Sequence, residues 1–406
     1  MLQNKNFLEI GVYWEQDEWG GVDSYLKNLI NTEIFSSSKF TIFTNKYNKG
    51  ADRILEFLKN KKIEIVYFSS FNLIKSKFKI LNFFINIIKP IFFILSIFQS
   101  YIILRKFKFN IFLAQCGGFG NFRSEVAAIF VAKFLNFPRR YLVIHHSCSR
   151  PIFWTTLLNI TNNLLSKSLT AVICVSKATK YSVFYKSNLF DSNANLKNIV
   201  IYNGVKVNKV EDNNSLQSIF KRKDDNHLNI GIVSRIESYK GHLDLIKAFE
   251  ILPLEYKKKI SIFFIGSGSE TEVSFLKNYL EKKNIKNYFN FTGYLDYSSH
   301  SIISYLDLLV SATRTFEGFG LSIAEAMSVE IPVLATNVGA IPEYLDSNCA
   351  KIFEAGDFVE LKNSLIDFVD NKQNWILKAA KGKKKIIENF TSDIMAKKYF
   401  EYFLSE

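Results

Sequence analysis

Glu317 and Glu325 stand with seven residues between them, and Gly318-Phe319-Gly320-Leu321 fills the first part of that gap. Apolar spacing after Gly320 starts a helix near Leu321 and carries it to about Ser328. A carboxylate in the loop, as at Glu317, is placed to accept hydrogen bonds from sugar hydroxyls. Glycines let backbone N–H groups come close to a ligand, and the start of a helix suits a phosphate. Glu325 lies about one turn into that helix. A second helix start is expected after Asn337-Val338-Gly339-Ala340, near the same mouth. Arg235 and Lys240 follow the apolar run LNIGIVS, at the C-terminal edge of an expected parallel strand, where open α/β sheets take ligands. A rigid guanidinium fork and a mobile ammonium together can neutralise a pyrophosphate as its charge develops. The bland alternatives are a βα loop with solvated glutamates and two basic residues on the surface.

The elements that must position these groups alternate along the whole chain. Short apolar runs at 7–13, 41–44, 63–69, 110–115, 141–146 and 171–176 read as buried strands, with helical stretches at 122–136 and 154–166. The polar segment from Glu211 to Asn226 reads as a domain boundary after NIVIYNGVKV. The rhythm then restarts with strands at 228–234, 261–266, 288–295, 306–313 and 331–336, and helices near 241–252, 269–282 and 321–328. Residues 372–405 read as one or two helices. Strands spaced by helices imply a parallel sheet covered on both faces, twice over. We expect domains at 1–207 and 208–390, and a terminal helix at 391–406.

Length agrees, since 406 residues suit two domains, each large enough to bury its own core. Cys116, Cys148, Cys174 and Cys349 show neither metal-ligand spacing nor close pairing, which fits a reducing compartment. With 48% hydrophobic and 22% charged residues, wholesale disorder is excluded. The net charge of +14 is uneven: residues 1–210 hold 28 basic and 11 acidic side chains, the remainder 24 and 27. A basic first half implies an anionic neighbour, whether nucleic acid, a membrane surface or a phosphorylated substrate. The N-terminal MLQNKNFLEIGVYW runs straight into a strand, without the pattern of an export signal.

Residues 80–104 hold 18 apolar positions of 25, close to the ~20 that a membrane span needs. Asn82, Asn86, Lys89, Ser96 and Ser100 form a narrow polar stripe at near-helical spacing, and Pro90 interrupts the run. Lys75, Lys77 and Lys79 precede it, and Arg105, Lys106 and Lys108 follow. Three readings fit: a helix or helical hairpin lying in the headgroup region, ordinary buried helices, or a span. The basic flanks of the segment, 78–109, favour the first.

The combination of Arg235-x4-Lys240, FIGSGSE (264–270), FTGYL (291–295) and Glu317-GFGLSIA-Glu325 followed by PVLATNVGAIPE resembles the family-4 glycosyltransferases. These are retaining enzymes that use nucleotide sugars and have the GT-B fold, two Rossmann-like α/β domains facing across a cleft. The C-terminal half carries the likeness. The N-terminal half is similar more loosely, through Gly20-Gly21, His146, Ser176 and IYNGV (201–205).

The resemblance implies that Glu317 holds sugar hydroxyls near the anomeric carbon and that Glu325 holds the ribose. Arg235 and Lys240 would clamp the departing diphosphate, and Gly318, Phe319, Gly320 and Leu321 would cradle donor sugar and phosphate through their backbone. Gly266, with Ser267-Gly268-Ser269, would line the nucleotide side, and Gly20 and Gly21 would form the glycine loop of the acceptor domain near the phosphates. A histidine near the acceptor hydroxyl is expected at His146, with His145 as the alternative, since neighbours on a strand face opposite ways.

Catalysis would retain the anomeric configuration without a covalent intermediate. The last helix would cross back to the first domain. No cofactor or metal is implied: Asp-x-Asp and His-x-His are absent, and the acidic loop Glu15, Asp17, Glu18 is as readily a solvated loop as a hydroxyl binder. With the basic first half, the resemblance implies a nucleotide-sugar donor, a saccharide acceptor that is lipid-linked, and an anionic membrane surface at the cytoplasmic face. Surface polysaccharide or lipopolysaccharide synthesis is the setting this suits. A soluble acceptor is the alternative within the fold. A non-catalytic nucleotide- or nucleic-acid-binding protein is the alternative outside it, and no nucleic-acid motif supports that class.

Overall fold

The computed structural model describes residues 7–16, 20–58, 61–69, 79–120, 122–149, 153–191, 193–207 and 213–405. Asp17, Glu18, Lys75, Lys77 and Glu211 lie outside them. The chain divides into two compact units, Met1–Gly204 with Ser392–Glu406, and Val205–Thr391. The expected boundary at 207/208 abuts undescribed residues. The division falls three residues earlier, where Val205 bridges to Thr391.

The first unit holds strands β1 (Glu9–Trp14), β2 (Lys39–Asn45), β3 (Ile63–Phe68), β4 (Ile111–Cys116), β5 (Arg139–Ile144), β6 (Ala171–Cys174) and β7 (Lys197–Val200). Its helices are α1 (Gly21–Ile30), α2 (Lys49–Phe57), α3 (Lys79–Leu104), α4 (Ser124–Phe134), α5 (Thr155–Ser166) and α6 (Lys177–Lys186). The strands form one parallel sheet in the order β3-β2-β1-β4-β5-β6-β7. β1, β2 and β4 are buried along nearly their whole length because helices cover both faces. Right-handed crossovers put α1 and α2 on one face and α3 to α6 on the other.

The second unit repeats the plan with β8 (Leu228–Val233), β9 (Ile260–Ile265), β10 (Phe289–Gly293), β11 (Leu308–Ser311), β12 (Val333–Thr336) and β13 (Lys351–Phe353). Its helices are α7 (Asn214–Ile219), α8 (His242–Glu250), α9 (Leu254–Lys257), α10 (Glu270–Lys282), α11 (Ser299–Ile303), α12 (Leu321–Ser328), α13 (Ile341–Tyr344), α14 (Phe358–Asp370) and α15 (Lys372–Asn389). The sheet is parallel in the order β10-β9-β8-β11-β12-β13. Strand order therefore reverses beside β8 and β11, as it does beside β1 and β4 in the first unit. Such a reversal opens a crevice at the strands' C-terminal ends.

α16 (Ser392–Ser405) belongs to the first unit, where it packs against α1. Phe403 is fully buried and stacks on Tyr141 of β5 at 5.2 Å, with Phe35 and Tyr399 at its other sides. Gly204 ties the exit of the sheet to this helix, its carbonyl accepting from Asn28 Nδ2 and its N–H reaching Met395 Sδ.

α3 is continuous through Pro90, so the expected interruption does not occur. Proline has no N–H to give to the carbonyl four residues back, here Asn86. Trp154, at the head of α5, donates its indole N–H to that carbonyl at 3.1 Å. The polar stripe also has a direction that spacing alone left open. Ser96 and Ser100 are buried on the side of α3 that packs against α4, where Phe93 meets Phe122 and Phe130.

Truncating Phe403 to Ala removes a fully buried ring from the seam of α16. The first unit should lose about 3–5 kcal/mol, read as a lowered urea midpoint in equilibrium unfolding.

Candidate functional site

In the second unit the loop after β8 carries Lys240 and the loop after β11 carries Glu317. Because those two strands are neighbours across the reversal, the side chains converge, and Lys240 Nζ lies 2.7 Å from Glu317 Oε2. Both side chains are largely enclosed, at 15% and 16% exposure. Thr313 Oγ1 donates to the same carboxylate oxygen at 3.3 Å, and the Tyr239 ring lies 5.3 Å from the Lys240 ammonium.

Close contacts hold these loops, and the loop after β12, together. Arg314 grips buried Asp244 of α8 through both Nε and Nη2, and its backbone N–H donates to the Tyr239 carbonyl at 2.7 Å. Gly241, at φ +77°, runs so close to the β11 loop that a Cβ would stand 1.9 Å from the Ala312 carbonyl oxygen. Gly339, at φ +57°, lies against the backbone of Glu317, where a Cβ would meet its carbonyl oxygen at 2.2 Å. Ala340 N–H donates to that carbonyl at 2.8 Å. The Asn337–Ala340 loop thus serves as a buttress for Glu317. The helix expected after it, α13, is a single turn of four residues and too short to act as an anion site.

Gly318 to Leu321 lead into α12, with Gly320 as the residue before its first turn. Tyr344 donates its phenol to the Phe319 carbonyl at 2.7 Å, and the Phe319 ring is buried between Tyr344 and Phe390. Those contacts fix the entry to the helix, so what this segment can offer a ligand is backbone. Glu325 lies on α12 four residues after Leu321 and is buried.

Arg235 is placed differently from Lys240. Its guanidinium pairs with Glu237 at 2.9 Å and is about half exposed, with no contact to Lys240 in the described geometry. Both Arg235 and Glu317 nonetheless act on the Tyr239 phenol. Its pKa is pushed well up by burial and the Glu237 hydrogen bond, is lowered by Arg235 and is raised further by Glu317. Gly266 packs on the Ser234–Arg235 backbone, and Ile236 N–H donates to the Ser267 carbonyl at 2.7 Å. The 234–236 and 266–268 loops therefore form one surface beside the Lys240–Glu317 pair.

In the first unit, Gly20 and Gly21 open α1 directly after the β1 loop. The Gly20 N–H donates to the buried Asp23 carboxylate at 2.5 Å, and Gln16 donates to the same oxygen at 3.0 Å. Glu15 of the acidic loop accepts from Ser124 Oγ. His145 turns to Gln115 at 2.8 Å and to the Tyr25 ring at 4.7 Å, and desolvation pushes its pKa down to about 3. His146 meets Ser147 Oγ through Nδ1 at 3.2 Å.

Sequence reasoning passed over Thr313, Arg314, Asp244 and Tyr344, which show no motif of their own. It also passed over Gly117-Gly118-Phe119-Gly120, whose glycine density was a readable signal. That run follows β4 beside β1, at the first unit's own reversal. Among the described residues, no three His, Cys, Asp or Glu side chains cluster as a metal site. All four cysteines are buried, and none is joined in a disulfide.

Residues 215–389 match the family model described as Glycosyl transferases group 1. This stretch, which spans β8 to β13, is similar to the group 1 glycosyl transferases. The capsular polysaccharide biosynthesis glycosyltransferase CapM of Staphylococcus aureus is 27% identical over 230 residues, 56% of this chain and 59% of that one. The O-antigen biosynthesis glycosyltransferase WclY of Escherichia coli is 30% identical over 213 residues, 50% of this chain and 54% of that one. The chain thus matches little more than half the length of these relatives. Anabaena HepE, solved in complex with UDP and glucose, superposes with a TM-score of 0.76 at 17% identity, covering 98% of this chain and 100% of that one. The fold is GT-B.

Two measurements probe this architecture. Gly339→Ala should lower stability by about 1–3 kcal/mol, through a left-handed backbone and a clash with Glu317, read as a fall in the thermal midpoint. Buried His242, at the head of α8, has no hydrogen-bond partner on either ring nitrogen among the described residues, and its edge meets Phe264. Burial first, then the Lys240 charge, lowers its pKa to about 3. The unfolded chain therefore takes a proton that the folded chain refuses, and stability falls as pH drops below about 6.5, by roughly 2 kcal/mol at about pH 5. His242→Leu should flatten that part of the dependence of the unfolding midpoint on pH.

Proposed function

We propose that the chain is a retaining family-4 glycosyltransferase. It moves a sugar from a nucleoside-diphosphate sugar to a lipid-linked saccharide acceptor at the cytoplasmic face of a membrane, in surface polysaccharide or lipopolysaccharide synthesis. The observation that carries this reading is the enclosed Lys240–Glu317 pair at the strand reversal, beside the start of α12. A cation and a helix start suit a diphosphate, and a carboxylate beside them suits the hydroxyls of the attached sugar. The capsule and O-antigen roles in the relatives' names, and the UDP and glucose held by HepE, support the same direction.

In this mechanism Lys240 and the first N–H groups of α12 hold the diphosphate, with Arg235 adding positive charge from the neighbouring loop. Glu317 orients the sugar and Glu325 binds the ribose. The bond from the anomeric carbon to the diphosphate oxygen breaks, and its electron pair leaves with the phosphate. The acceptor oxygen bonds to the anomeric carbon on the same face, and a phosphate oxygen takes its proton. Positive groups favour the leaving diphosphate more than the bound donor, which lowers the barrier. Lys240 and Arg235 fill the charge-neutralising role, so no metal is assigned. The acceptor side is assigned to the first unit, with His146 and the Gly20-Gly21 loop as its candidate groups.

The test begins with a panel of nucleotide sugars read by thermal shift, followed by turnover with the best donor. Glu317→Ala and Lys240→Ala should each reduce kcat by on the order of 100-fold or more. The product should keep the donor's anomeric configuration by NMR, and activity should survive a chelator. Unchanged turnover in both variants would remove Lys240 and Glu317 from the transfer reaction, and no turnover with any donor in the parent protein would make it a nucleotide binder that does no transfer. An inverted product would remove the retaining assignment.

A further inference from the structure

α3 is built inside out for a helix on the surface of a water-soluble domain. Its polar positions Ser96 and Ser100 face inward with Phe93 and Leu104, while Phe83, Ile87, Ile91, Ile94, Phe98 and Ile102 form an exposed stripe on the opposite side. Phe98 is 65% exposed. One stretch of it, Ile85–Leu104, is long and apolar enough to cross a membrane, with a mean hydropathy of 2.0, and only 17% of it is buried.

α5 presents a second such stripe. Leu157, Ile160 and Leu164 face out, while Leu158, Thr161 and Leu165 face in. The two stripes are joined at one end, where Trp154 donates to the Asn86 carbonyl and Phe153 packs edge-on against Phe83 at 5.5 Å. Trp154 holds a left-handed backbone at φ +59°, a strained state for a tryptophan, and the residue remains 43% exposed. At the other end the helices finish in a cationic rim. Arg105, Lys106 and Lys108 follow α3, Lys133 lies at the end of α4, and Lys167 follows α5. Lys133 reaches the Lys167 carbonyl at 2.8 Å, and Tyr101 meets exposed Phe134 at 5.8 Å, so the three helix ends adjoin. Between Ile65 and Phe190 the chain has 16 Lys and Arg residues and a single acid, Glu125, which is buried against Arg123.

We infer that α3 and α5 together form a docking face for an anionic lipid bilayer, with the basic rim set at the headgroups. Apolar area without acids, an amphipathic tryptophan and a one-signed rim match the interface of an anionic leaflet, where burial and charge add. The helices lie in the interface and do not cross it. The inner side of α3 is packed on α4, and its C-terminal end leads within a few residues into β4 at the centre of the sheet. A span would strip both. The inference builds on the proposed membrane-side acceptor, and a binding assay without sugar substrates separates its failure from failure of the transfer reading.

The test is flotation of the full chain with vesicles of phosphatidylcholine alone or with about 30% phosphatidylglycerol. The intact protein should float with the anionic vesicles and be released by an alkaline carbonate wash. Lys106→Gln with Lys108→Gln should weaken binding about 30-fold. Ile160→Gln with Leu164→Gln, confined to α5, should weaken it by on the order of tenfold or more. All four positions are exposed, and unchanged thermal midpoints will show that the variants fold. Equal flotation on neutral vesicles, or α5 variants that float like the parent, would overturn the two-helix anionic face. So would resistance to carbonate, which marks a span. Failure to float together with a dimer that Ile91→Gln dissociates would also overturn it, since a second copy would then cover the face.

Discussion

An enclosed ion pair contributed by two different strand ends organises the second unit. Lys240 and Glu317 are 77 positions apart in the chain, yet their charged atoms are 2.7 Å apart with little water access. Two charges taken out of water hold their geometry only if their surroundings fix them, and losing one leaves the other poorly compensated. The surrounding contacts meet that demand. Arg314 fastens one loop to the other through Asp244 and Tyr239, Gly241 permits their close approach, and Gly339 supports Glu317 from behind. A sugar hydroxyl or a phosphate oxygen arriving at this point would meet groups already in place, so little ordering would remain for binding to accomplish.

The same economy of backbone appears in α3. A proline in a long helix leaves one carbonyl without its usual donor, and a helix normally bends or ends there. Here an indole from another element supplies the missing hydrogen bond, which keeps α3 continuous and fastens it to α5. Helix continuity and the shared apolar surface therefore have one cause. Two of the polar residues that break the apolar run, Ser96 and Ser100, face the protein, while its exposed side is apolar from Phe83 to Ile102.

Much of the fold was legible in the sequence. Apolar runs such as 228–234 and 261–266 predict strands within a residue of β8 and β9, and the helix from Leu321 to Ser328 is read at its full extent. β13, three residues long and only partly buried, carries too little periodicity to be seen. Site residues identified by type were legible too, but their grouping was less so. Arg235 was paired with Lys240 by nearness along the chain, whereas its guanidinium turns to Glu237.

Periodicity, helix starts and residue chemistry are local properties, and the sequence alone determined them: alternating strands and helices in two units, a glycine-rich helix entry between glutamates, and a basic first half. Partnership between distant segments depends on strand order and on which side of a helix meets the protein. Neither is encoded at short range, because the same spacing serves either side. Only the tertiary structure decided that Lys240 meets Glu317, that Asn337–Ala340 forms a buttress, and that Ser96 and Ser100 of α3 point inward.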